Sequence, residues 1–298
     1  MPQPTITSTY AGDFGKYISA MLLSGNTIAN GLIEVKPNIK YKEVLKRVDV
    51  SGAIANASCD FTNAGTVTLT ERILEPKELQ INLELCKTPF QSDFEAISMG
   101  YSAFDNIPKN FNDYFIGELS AGIAAQTEQD IWSGTAGAGT FDGFATLLTA
   151  ATLPAGQDIT KIAITATNVV AELGKVVDAL PSALYGNEDL YIYVSQNILR
   201  AYKRALATTG GSVQGNNQDL NVEFFDGVKV VAANGLADNN MVATLKSNLF
   251  FGTGLLNDQN EIQVLDMADK DGSKNVRFIA RYTAAVQVAI LEDVVFYS

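Results

Sequence analysis

The sequence predicts an α+β protein in which compact blocks alternate with extended ones, and three observations carry that prediction. From Asn112 to Ser133, the residues Phe115, Leu119, Ile123, Thr127 and Ile131 recur every fourth position, with Ile116 and Ala124 beside them. That spacing lines one face of a helix of about five or six turns. Leu79, Ile81, Leu83 and Leu85 alternate with Glu78, Gln80, Asn82 and Glu84, which is a strand with one apolar face. Between 160 and 260 a helix, a strand, a second helix and a hairpin follow one another, the order of a compact α/β unit.

Length and composition narrow the possibilities. The 298 residues suffice for one large or two medium domains. An apolar content of 47% supports a real core. With 33 acidic against 21 basic residues the net charge is −12, the wrong balance for a surface that grips phosphate backbones. There is no histidine. That removes the Ser-His-Asp triad, the Cys-His dyad and histidine-bearing zinc sites, and with them the default acid/base near neutral pH. Cys59 and Cys86 fit no metal or redox spacing and read as free thiols. The first 17 residues, MPQPTITSTYAGDFGKY, show neither a charged n-region nor an apolar h-region. No window reaches 18 apolar residues. A chain made in a reducing cytoplasm, with no membrane partner, is the expectation.

Taken in order, residues 1–11 form a polar lead-in. Phe14, Tyr17, Ile18, Met21 and Leu22 then fall at i, i+3, i+4, i+7 and i+8, a short amphipathic helix between Asp13 and Ser24-Gly25. About three turns are marginal alone, so it must dock on its own domain or on a neighbouring copy. Residues 31–50 carry Lys36, Lys40, Lys42, Lys46 and Arg47, only partly balanced by Glu34, Glu43 and Asp49. This run is either a solvated face or an arm that meets an acidic surface on another copy. Residues 51–65 are small and polar, and Val67, Leu69 and Ile73 lead to a turn at Glu75-Pro76. Together with the alternating strand, 40–88 reads as a β-arm without an interior, and such arms bind partners.

The aromatic run from Phe90 to Pro108 is expected beneath the long helix. Asn112 or Asp113 is the expected cap of that helix, and Gly134, Gly137 and Gly139 its end. An Ala/Thr-rich loop should follow Phe141-Asp142-Gly143-Phe144 as far as Gly156. Val170, Leu173, Val177 and Leu180 mark a helix closed by Pro181, Leu190–Val194 a buried strand, and Ser195 the cap of a helix bearing Ile198, Leu199, Tyr202, Ala205 and Leu206. After a flexible loop at 210–217, strands 220–225 and 228–232 join at Asp226-Gly227, a tight-hairpin signal. Strands at 261–267, 275–282, 286–291 and 294–297 complete the chain, with a turn at Lys270–Ser273.

No motif for chemistry survives scrutiny. Gly137, Gly139 and Gly143 miss the dinucleotide-binding spacing by one residue and follow a helix instead of a strand. Glu188-Asp189 and Glu292-Asp293 sit at strand edges, where solvated ends explain them. Asp266, Asp269 and Asp271 lack the ligand order of a calcium loop. No catalytic, cofactor-binding or metal-binding residue is therefore expected, and no cofactor. The chain reads as one that works by shape and surface.

In element order the chain resembles the major capsid protein of tailed bacteriophages, with its Hong-Kong-97-like shell fold. The residues that carry the likeness are Thr9-Tyr10-Ala11-Gly12, Leu79–Phe90 and Trp132-Ser133-Gly134 before Phe141-Asp142-Gly143. The resemblance implies an N-terminal arm (1–40), an E-loop hairpin (41–90), a peripheral domain (91–150 and 262–298) with its spine helix at 112–133, and an axial domain (151–261). It further implies pentamers and hexamers of this chain in an icosahedral shell around double-stranded DNA, held without sequence-specific contact. Candidate inter-subunit contacts are Phe14, Tyr17, Ile18, Met21, Leu22, Lys40, Lys42, Lys46 and Arg47. The short stretch before the spine implies a separate scaffold protein or none, with portal and decoration proteins as further partners. The competing readings are an encapsulin-like nanocompartment shell, a cytosolic enzyme using carboxylate or Lys chemistry, and a surface adhesin.

Overall fold

A computed structural model describes residues 26–54, 56–57, 59, 65–86, 109–208, 223–254 and 262–298. In chain order its helices are α1 (Asn26–Ala29), α2 (Lys109–Ser133), α3 (Phe144–Ala150), α4 (Val169–Asp178), α5 (Gln196–Thr208) and α6 (Ala268–Asp271). The strands are β1 (Glu34–Lys36), β2 (Glu43–Ser51), β3 (Thr66–Leu74), β4 (Lys77–Cys86), β5 (Asp158–Ile159), β6 (Leu190–Val194) and β7 (Glu223–Phe225). They continue with β8 (Val228–Ala232), β9 (Met241–Leu245), β10 (Leu249–Gly252), β11 (Ile262–Asp266), β12 (Asn275–Val288) and β13 (Val295–Tyr297).

One sheet runs β5-β13-β9-β6-β8-β7. It is buried on both faces, which is why Leu190–Val194 reads as an unbroken apolar run. Leu190, Ile192, Val194, Val230, Ala243 and Tyr297 pack beneath α4 and α5. The alternate residues Tyr193, Val231, Val242 and Phe296 pack on the other face against Ile131 and Trp132 of α2 and Phe144 of α3. The β7–β8 hairpin turns on Asp226 (φ 49°) and Gly227 (φ 80°), with Phe225 directly opposite Val228. Two consecutive positive φ values give the tight turn whose twist matches that of the strands.

The other sheet is built on β12, which pairs with β4 through ten registered residues from Asn275↔Cys86 to Ala284↔Lys77. It also pairs with β11 and, toward its end, with β10, which in turn pairs with β1. Val276 and Phe278 of this strand pack with Leu85 against Leu119 of the long helix. The spine and this sheet thus share one apolar seam.

Several expectations change. The long helix begins at Lys109, so Asn112 and Asp113 lie inside it and are not its cap. The expected loop after Phe144 is the helix α3, because Phe144, Ala145 and Leu148 fall on one face and bury against the spine. Strand β4 belongs to the β12 sheet, so the free-standing hairpin is 43–74 instead of 41–90. Its Leu79–Leu85 face finds a partner at long range, which alternation within 40–88 could not reveal. The two strands expected at 275–282 and 286–291 are one strand of 14 residues. The sheets also exchange chain: β10 joins β12, and β13 at the far end returns to the six-stranded sheet. The expected helix at 13–25, the Phe90–Pro108 run and the 210–217 loop lie outside the described residues.

A Cβ built on Gly235 would stand 2.0 Å from the Glu128 carbonyl oxygen. Gly235→Ala is expected to cost about 3 kcal/mol or more, because the contact is to backbone and cannot rotate away. Gly122, inside the long helix with nothing within 4 Å of its Cβ position, is the contrast. Gly122→Ala should stabilise by about 0.5–1 kcal/mol. Denaturant unfolding of the two variants checks both signs.

Candidate inter-subunit surface

Strands β2 and β3 pair through nine residues each, from Glu43↔Leu74 to Ser51↔Thr66. Their β-branched content favours extended backbone, and the register sorts the side chains. Val44↔Ile73, Lys46↔Glu71, Val48↔Leu69 and Val50↔Val67 share one face. All six apolar members are exposed, Val67 by 67% and Val48 by 59%, and Ile54 beyond the strand end by 98%. The result is an apolar stripe crossed by a single ion pair, Lys46–Glu71 at 3.7 Å. The opposite face carries Leu45, Arg47 and Arg72, all half-buried.

The root of the hairpin is tied down. Leu74 is fully buried with Ile39 and Ala285, and a Cβ on Gly252 would collide with both Ile39 and Leu74 at 2.8 Å. Gln287 donates to the Ile73 carbonyl at 2.8 Å. Lys42 meets Glu75 at 2.9 Å, and Arg47 donates to Glu292 at 2.6 Å. Of the basic candidates, Lys42, Lys46 and Arg47 therefore face carboxylates of their own chain, while Lys40 is exposed at the root. Phe14, Tyr17, Ile18, Met21 and Leu22 lie outside the described residues.

A second feature fixes how the N-terminal segment enters the body. Thr27, fully buried, donates its backbone N–H to Glu128 Oε2 at 3.1 Å and its hydroxyl to Glu128 Oε1. Trp132 Nε1 donates to Thr27 Oγ1 at 2.8 Å. The Tyr193 hydroxyl donates a hydrogen bond to the Leu32 carbonyl at 2.6 Å, and Asn26 Nδ2 donates to the Ala232 carbonyl at 3.1 Å. The segment is thus stitched to the spine helix and to the six-stranded sheet together. Burial pushes the Glu128 carboxyl above its ordinary range, against the hydrogen bonds from Thr27 that favour the anion. Asp130 is raised by the same cause, and its Oδ2 has no hydrogen-bond partner among the described residues. Sequence reasoning missed Thr27, Glu128 and Asp130. It also missed the stripe, although Val44-Lys46-Val48-Val50 alternates as clearly as the strand at 79–85. Among the described residues no group of three or more His, Cys, Asp or Glu side chains could hold a metal ion.

No protein-family model and no curated protein sequence matches the chain. Solved structures do. The cyanophage A-1(L) capsid asymmetric unit superposes with a TM-score of 0.62 at 15% identity, over 99% of this chain and 97% of that one. The capsid of Myoviridae phage XM1 gives 0.59 at 12% identity, over 95% of each chain. The capsid of an empty GTA particle gives 0.58 at 15% identity, over 95% of this chain and 92% of that one. The chain has the α+β fold of these capsid proteins, as its element order led one to expect.

Glu128 gives a pH prediction. A carboxyl whose folded pKa is raised contributes stability that is full below its unfolded pKa and is lost as pH rises through the folded value. Glu128→Gln keeps the shape and removes that loss. Between pH 5 and pH 8 the wild type should therefore lose more thermal stability than the variant, read as the change in Tm difference. Thr27→Val, which removes the hydroxyl that serves Glu128 Oε1 and Trp132 Nε1 but keeps the backbone donor to Oε2, should cost about 2 kcal/mol at neutral pH.

Proposed function

We propose that the chain is the major capsid protein of a tailed bacteriophage, a non-enzymatic subunit that assembles with copies of itself into an icosahedral shell around double-stranded DNA. The observation that carries this is the hairpin at 43–74. A two-stranded ribbon is marginal alone, and this one turns Val44, Val48, Val50, Val67, Leu69 and Ile73 outward. Covering half-exposed side chains of this kind contributes roughly 1 kcal/mol each, about 6 kcal/mol for the stripe, before the cost of association. One such contact is weak. Repeated around a closed shell it is enough, since each docked copy raises the effective concentration at the next site. The likeness of the whole chain to capsid structures supports a neighbouring copy as the occupant.

On this reading the virion is the protein's location, reached after assembly in the host cytoplasm. The net charge of −12 suits a wall that does not cling to packaged DNA. The arm residues Phe14, Tyr17, Ile18, Met21 and Leu22, and Lys40 at the hairpin root, supply further contacts between copies. The block carrying the six-stranded sheet gathers copies into pentamers and hexamers. Scaffold, portal and decoration proteins are further partners of the assembled shell.

Concentrated wild-type protein is expected to sediment as large closed particles. The Val48→Asp/Leu69→Asp double variant should stay unassembled while keeping the wild-type circular dichroism spectrum, because both side chains already face solvent. Assembly of the double variant at the wild-type level would remove the stripe from the interface. A wild-type chain that stays monomeric at high concentration would sink the shell reading.

A further inference from the structure

The hairpin's inner face touches the body well beyond its root. Arg47 stands at the fifth of the nine residue pairs, opposite Thr70, and its guanidinium reaches Glu292. Arg72, one strand over and two positions nearer the root, also feels the Glu292 charge, which offsets part of the cost of its burial. Burial raises the carboxyl of Asp293 beside it above the ordinary range, and the Arg47 charge opposes part of that rise. The direct tie is the Arg47–Glu292 ion pair at 2.6 Å, with Arg72 on the same face of the hairpin and Asp293 next in the turn.

That turn is tied to the body by hydrogen bonds to its backbone. Gln157 Nε2 donates to the Glu292 carbonyl at 2.7 Å, and Thr244 Oγ1 donates to the Asp293 carbonyl at 2.9 Å. Its next residues enter β13 of the six-stranded sheet. The hairpin by contrast is anchored at one end, around Leu74. A lever pinned at its root and tied once partway along has its angle set by the tie.

We propose that the Arg47–Glu292 pair, with Arg72 and Asp293 beside it, is a strut that sets the tilt of the hairpin and so the angle at which its apolar stripe meets a neighbouring copy. This rests on the shell reading for its purpose, though the strut itself is a property of the single subunit. Both partners are partly solvated, at 34% and 61% exposure of the side chain, so the tie is weak and sensitive to salt. It biases the tilt without locking it. Removing it should raise the released fraction about two- to fivefold, the range expected of one exposed ion pair.

The chain provides its own ruler. It has one tryptophan, Trp132, buried in the body, and an exposed thiol, Cys59, which lies between β2 and β3 in sequence. The full chain with Cys86→Ala, labelled at Cys59 with an acceptor dye, reports the hairpin angle as energy transfer in dilute, unassembled subunits. Raising the salt from about 0.05 to about 0.5 M should shift the transfer in the wild type. Glu292→Gln at low salt should already show the shifted value and respond little to salt. The Arg47→Glu/Glu292→Arg exchange, which keeps the total charge, should return the transfer toward wild type. Equal transfer in wild type and Glu292→Gln at both salts, with unchanged circular dichroism, would overturn the strut. So would a Gln variant that still shifts with salt as the wild type does. Because the readout is made on single subunits, a chain that never forms particles refutes the shell reading and leaves this result standing.

Discussion

The burial of Thr27 against Glu128 and Trp132 is the contact on which the arrangement turns. A carboxylate deep in a protein is costly unless its lone pairs are met, and here a threonine from a short N-terminal helix meets both oxygens. That places residues 26–36 between the spine helix and the six-stranded sheet. From there β1 joins β10, the chain emerges at Ile39, and the hairpin root is fixed against Ala285. The close approach of Gly235 to the Glu128 carbonyl closes the same junction from the other side. Residues 26–36 are therefore part of the core, and the hairpin beyond them projects.

The division between filled and unfilled surface follows. Both sheets bury most of their apolar side chains within the chain, down to fully enclosed Tyr193 and Phe296, with Trp132 and Phe144 packed on them. The hairpin does not, since Val44, Val48, Val50, Val67, Leu69 and Ile73 face outward. On the shell reading proposed above, the cover that this ribbon lacks among the described residues is another copy.

What the sequence made legible and what it did not divides along range. Local patterns were readable: the four-residue repeat of the spine, the Asp226-Gly227 turn, the apolar run at Leu190–Val194 and the alternation at Leu79–Leu85. Long-range pairing was not. Alternation shows that Leu79–Leu85 has an apolar face, but not that Tyr282, Ala280, Phe278 and Val276 line up beside it, strand edge to strand edge, from nearly two hundred residues away. The Ala/Thr stretch after Phe144 has the composition of a loop, and its short helix is held by packing such as that of Phe144 on Trp132. The buried Glu128 looks like any polar residue on a helix until Thr27 is seen above it. For the interface, the basic residues drew attention in the sequence, yet three of the four meet acids of their own chain, and the uncovered valines and leucine beside them carry the stronger signal.

One consequence of the long strand β12 is mechanical. It lies edge to edge with β4 for ten residues, and its own chain runs on through the Glu292 turn into the opposite layer. A pull along that direction must slide the whole ladder at once, instead of unzipping it bond by bond. A wall made of such pieces resists stretching best along the line where this strand points, and a container under internal pressure would be strongest if its copies were laid with that line along the tension.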